Sequence, residues 1–110
     1  MAVTLYMAQF KYTPDAWAAF TKHPEDRTPA IEALAENLGC RFEAFYYSLG
    51  EYDGLVILDA PNEATVSAFV LATIAPGHIN TTKTTVLMTP GDMFDAMKKA
   101  NRAEYKGPRK

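Results

Sequence analysis

RFEAFYYSLGEYDGLVILDA, residues 41–60, is the stretch on which the fold turns. Its first half alternates: Phe42, Ala44, Tyr46 and Ser48 would share one face, and Glu43, Phe45, Tyr47 and Leu49 the other. Gly50-Glu51-Tyr52-Asp53-Gly54 then reads as a turn. Leu55 to Ala60 returns as a strand whose first four residues, Leu55, Val56, Ile57 and Leu58, are all apolar. Two strand-like runs joined so tightly predict an antiparallel hairpin.

Working outward, Thr4 to Tyr12 is a second alternating run, with Leu5, Met7 and Gln9 opposed to Tyr6, Ala8 and Phe10. Thr13-Pro14-Asp15 opens a short helix through Ala16, Trp17 and Phe20, with Thr13 as its cap. His23-Pro24 interrupts it, since a residue before proline is pushed out of the helical region. Helix resumes near Thr28-Pro29, carries Ile31, Leu34, Ala35 and Leu38 as a buried stripe, and ends at Gly39. Downstream of the hairpin, Asn62 caps a helix that Pro76-Gly77 stops. Ile79 to Met88, rich in Thr and Val, is a fourth strand. Thr89-Pro90-Gly91-Asp92 has the form of a capping box, and the helix it opens carries Met93, Phe94, Met97 and Ala100.

The order β-α-β-β-α-β plus a C-terminal helix predicts an α+β, ferredoxin-like domain with a four-stranded antiparallel sheet. Helices then cover one sheet face only, and the other should be polar if it meets water. The alternation denies this. Either face of the second strand is apolar, the first strand is two-sided, and the third is apolar throughout. About eight medium or large apolar side chains would be left in a patch well above the few hundred Å² that monomers tolerate. Face-to-face packing with a second copy is the simplest cover, so a homodimer or higher homo-oligomer is expected.

Composition narrows the class. The 110 residues allow one domain, assigned to 1–103, followed by a basic, disordered tail at 104–110. No apolar run approaches a membrane span, the N-terminus lacks the pattern of a secretory signal, and Cys40 is the single cysteine. A cytoplasmic protein without internal disulfides is expected. Net charge is −2, but Lys98 to Lys110 holds six basic residues against Glu104. The plain reading is a favourable helix C-terminus and a solvated tail. Without the aromatic interleaving of a single-strand binder, nucleic acid is an unfavoured partner.

At Gly50, Tyr52 and Asp53 the chain resembles the GYD domain family, named for a Gly-x-Tyr-Asp motif. The resemblance extends over about residues 3 to 90, through FKYTP at 10–14, LAENLG at 34–39, FYYSL at 45–49 and DAP at 59–61. Cys40 stands where the family often has a second glycine, and Trp17 where small residues are common. The resemblance implies the dimeric α/β-barrel superfamily and a ligand pocket between sheet and helices. It does not by itself imply a reaction; the expectation is a homo-oligomer that binds a small molecule with a cofactor-independent oxygenase or isomerase-like activity, as in some superfamily relatives, or, alternatively, a non-catalytic ligand-sensing or structural/regulatory interaction module similar to Lrp/AsnC effector domains. Those regulators share a similar hairpin, which favours a structural role for the motif.

The chemistry-bearing residues remain open between two readings. Gly50 would supply a positive φ, Asp53 would accept backbone N–H groups in the turn, and Tyr52 would anchor the hairpin. In the functional reading Tyr52 and Asp53 are an acid–base pair beside a pocket. His23 and His78 could ligate haem or a metal or serve as a base, but no His/Cys spacing supports a metal site and both adjoin helix breakers. Cys40 reads as a small buried thiol. Trp17, Phe20, Tyr46 and Tyr47 read mainly as core. The working site is therefore Arg41, Tyr47, Tyr52, Asp53 and His78 around a small, partly apolar ligand, with Tyr52, Asp53 and His78 as catalytic candidates and no cofactor or metal.

Overall fold

The computed structural model describes residues 4–109, so residues 1–3 and Lys110 of the expected tail lie outside the described residues. The elements run β1 (Thr4–Tyr12), α1 (Pro14–Lys22), α2 (Thr28–Asn37), β2 (Arg41–Tyr47), β3 (Gly54–Ala60), α3 (Glu63–Ile74), β4 (Ile79–Leu87) and α4 (Pro90–Arg102). All pairings are antiparallel in the order β2-β3-β1-β4. This is the ferredoxin-like arrangement that the element order predicts. No helix among the described residues is long and apolar enough to cross a membrane.

Local chemistry sets the boundaries. The Thr13 hydroxyl accepts from the Ala16 amide at 3.1 Å, Asn62 Oδ1 from Thr65 at 2.9 Å, and the Thr89 hydroxyl from Asp92 at 3.0 Å. Each satisfies an amide that the first helical turn leaves without a partner. Gly39 and Gly77, at φ of 78° and 91°, turn the chain out of α2 and α3.

On the helix-covered face Tyr6, Phe10 and Tyr12 of β1 and Val56, Leu58 and Ala60 of β3 meet Ala16, Ala35, Val66 and Phe69. Cys40 completes this core, and burial pushes its thiol above the usual range. Strict alternation fails in β2. Phe42 pairs with Leu58 and Ala44 with Ile57, so Glu43 is the extra residue of a β-bulge. The bulge brings Phe42 and Phe45 to the same, covered side, which alternation assigns to opposite sides. It leaves Ala44 and Tyr46 on the open face.

That face carries Leu5 and Met7, Leu55 and Ile57, Ala44 and Tyr46, and Leu87 in adjoining register. Tyr46 is 65% exposed and Tyr47 51%, so neither is a core residue of the single chain. Arg41 and Glu43 form an ion pair at 3.1 Å at the rim of this surface. A hydrogen bond with Asp59 raises the Glu43 carboxyl above its ordinary range.

Candidate functional site

The site is built where β1 ends. Pairing of β1 with β3 stops at Phe10 opposite Gly54, and the register with β4 slips between Lys11 and Tyr12. The Tyr12 amide meets the Asp53 carboxylate instead, at 2.9 Å, and the Trp17 indole N–H donates to the same oxygen at 3.0 Å. The Asp53 amide in turn donates to the Phe10 carbonyl at 2.8 Å. One side chain thus ties the hairpin tip to the β1–α1 corner. Within the tip, Ser48 donates from its amide to the Asp53 carbonyl and from its hydroxyl to the Tyr52 carbonyl, both at 2.8 Å.

Tyr12 is the hub of an aromatic cluster. Its ring centroid lies 5.1 Å from those of Phe10, Trp17 and Phe20, each edge to face. Its hydroxyl shares a 3.2 Å hydrogen bond with that of Tyr47. Burial, and then that bond, hold the Tyr12 proton well above the ordinary phenol range.

Below the cluster, between the sheet and helices α1, α2 and α3, lies a cavity of about 330 Å³. Phe10, Tyr12, Phe45 and Val56 line it from the strands; Phe20, Ile31, Leu34, Phe69 and Val70 line it from the helices. Small residues keep it open, notably Ala16, Ala19 and Ala30. Polar side chains also border it: Gln9, Glu25, Arg27, Thr73, His78 and Thr82. Arg27 is ion-paired to Glu25. The Thr28 amide donates to Asp26 at 3.0 Å, which lowers the Asp26 carboxyl. The His78 carbonyl accepts from the Thr13 amide at 2.9 Å and fastens the start of β4 to α1.

The sequence-derived site residues do not converge on one place. His78 reaches the cavity. Tyr47 and Asp53 line a separate shallow depression with Trp17, Ser48, Leu49 and Gly50. Tyr52, half-buried, belongs to the turn between them, and Arg41 stands at the opposite end of β2 on the open face. His23 caps the C-terminus of α1. Gly50 does not have a positive φ; the turn is closed by the Ser48 bonds and needs no left-handed residue there. Glu25 and Arg27, which line the cavity, are not among the sequence-derived site residues. The signal for them was a charged run bracketed by Pro24 and Pro29, which sets it in a corner between two helices that both face the sheet. No group of three or more His, Cys, Asp or Glu able to hold a metal occurs among the described residues.

A four-stranded antiparallel sheet with one helical layer places this protein in the α+β, ferredoxin-like class. Within it, this chain belongs to the GYD domain family, whose model matches residues 6–97. The fold is also that of solved structures at low identity. MtbAldR (Rv2779c) is 12% identical at a TM-score of 0.55, over 81% of this chain and 55% of its own. An AsnC family transcriptional regulator from Agrobacterium tumefaciens is 17% identical at 0.53, over 79% and 51%. Escherichia coli AsnC is 16% identical at 0.52, over 79% and 52%. The chain spans about half the length of these structures. No curated protein matches it.

Proposed function

We propose that this protein is a self-associating module that binds a small, mainly apolar molecule in the cavity between its sheet and helices. The observation that carries the reading is the cavity itself. Its volume falls at the lower end of small-molecule sites, and an apolar interior with a few polar groups in its lining is how such sites fix orientation. Arg27 and His78 in the lining suit a ligand with a single acidic or hydrogen-bonding group on a flat apolar body. Binding without turnover is the reading the geometry supports best. Of Tyr52, Asp53 and His78 only His78 lines the cavity, and the Asp53 oxygen already holds two N–H donors. A sensing role is in keeping with the regulators that share the fold.

Self-association is supported by the open face, where Leu5, Met7, Leu55, Ile57 and Tyr46 adjoin without a covering layer. Covering such a face supplies roughly 25 cal/mol per Å² before association entropy is subtracted.

The test is a titration of ¹⁵N-labelled protein with naphthalene-2-carboxylate, followed by amide shifts. Shifts should appear at Leu34, Thr73 and Ile79 and vanish in Ala30→Phe, which fills the cavity from α2. An absence of shifts at these amides up to millimolar probe, or shifts that survive Ala30→Phe unchanged, would sink the reading.

A further inference from the structure

Helix α4 is the part of the molecule that its own domain does not explain. It has no buried residue and makes no more than marginal contact with any other element. Yet Met93, Phe94 and Met97 form an apolar stripe along it, exposed by 43%, 59% and 61%. The chain leading into it is apolar too, with Val86 and Met88 about half exposed.

The global dimensions say how much surface awaits a partner. A compact chain of this length has a radius of gyration of about 13 Å, whereas this one measures 17.9 Å, with extents of 59 × 38 × 21 Å. Its accessible surface is 8135 Å², whereas a folded monomer of this mass exposes about 6,100 Å². The excess of roughly 2,000 Å² per chain, shared among α4, the open sheet face and the exposed segment 103–109, is of the size that obligate homodimers bury per subunit. Charge points the same way. Residues 88–110 carry six basic and three acidic side chains, and residues 1–87 carry five basic and ten acidic. The helical arm is cationic and the body anionic.

We infer that α4 is an arm exchanged between two copies of this chain, its Met93–Phe94–Met97 stripe lying against the partner's domain while the open sheet faces pack together. This rests on the self-association proposed above and adds to it. Thirteen residues give the arm a length of about 20 Å, and two packed sheets stand about 10 Å apart. An arm leaving the end of edge strand β4 is therefore long enough to cross that gap. Two-fold symmetry makes the exchange reciprocal, so both stripes are covered by one operation. The competing occupant is an anionic membrane surface, for which an amphipathic helix with Lys98, Lys99 and Arg102 is also suited.

The experiment replaces Phe94 with p-benzoylphenylalanine in the full chain, measures its mass by sedimentation velocity at micromolar concentration, and irradiates it. Covalent dimer on a denaturing gel is expected. A dimer that cross-links only within single chains would overturn the arm while leaving the sheet-face reading intact. A monomer would overturn both. Binding to phosphatidylserine vesicles through α4, without interchain cross-links, would assign the arm to lipid and overturn the exchange. As a second measurement, Phe94→Asp with Met97→Asp should raise the dimer dissociation constant about tenfold or more, with helix content checked by circular dichroism. An unchanged constant would also overturn it.

Discussion

Two glycines in the family's hairpin have opposite meanings. A Cβ on Gly54 would lie 2.5 Å from Phe10 Cζ and 2.8 Å from the Tyr46 carbonyl oxygen. A Cβ on Gly50 would meet nothing within 4 Å. Gly54→Ala is therefore expected to cost about 1–3 kcal/mol through overpacking. Gly50→Ala should stay within about 0.5 kcal/mol of the parent. Paired urea melts check this, and equal losses would contradict it. Asp53 is the other residue whose role is local and sharp. Hydrogen bonds to a charged group contribute roughly 1.5–3 kcal/mol, so Asp53→Ala should destabilise by about that much. It should also alter the fluorescence of Trp17, the only tryptophan. Asp53→Asn retains a carbonyl acceptor and should recover part of the loss. An Asp53→Ala protein that melts and fluoresces like the parent would show that the clamp carries no weight.

At the scale of elements, caps and breakers are written locally, which is why they are legible. Thr13, Asn62 and Thr89 each cap the helix that the sequence assigns to them. The consequence of losing a cap depends on what the helix packs against. Asn62→Ala should lower global stability by about 1 kcal/mol, because α3 carries the core residues Val66 and Phe69. Thr89→Ala should fray α4, seen as faster amide exchange over residues 92–95, with little change in the melt of a dilute, dissociated sample. A large loss of stability there would mean that α4 packs on its own domain. Strand β2 shows where local reading ends. Alternation is a rule for unbroken strands, and the bulge at Glu43 interrupts it. Nothing in Phe42-Glu43-Ala44 announces the insertion. Its effect is that Phe45, not the small Ala44, stands opposite Val56 on the helix-covered side.

For the whole molecule the open sheet face is the dominant fact. Ile57 sits in the middle of it, beside Met7 and Ala44. Placing a charge there, as in Ile57→Lys, should convert an associated protein to monomer in sedimentation velocity, while the fold, read by circular dichroism, persists. Unaltered mass would mean that the face is not the contact. The candidate site belongs to this scale as well. Its lining comes from four strands and three helices, together with the corner at Glu25 and Arg27 and the loop at His78.

What the chain determined unaided was the set of elements, their caps and the ferredoxin-like order, because hydrophobic period, proline and glycine act over a few residues. The two-sided sheet was equally plain, since the strands are apolar in either alternation, whereas which β2 residues share a face was set by the bulge at Glu43. Tertiary structure alone decided which side chains share a site. It separated Arg41 and Tyr52 from His78, engaged Asp53 as a clamp, and brought Arg27 to the cavity. Those relations depend on where a register slips and how a corner turns, and such choices are made by packing between residues distant in sequence.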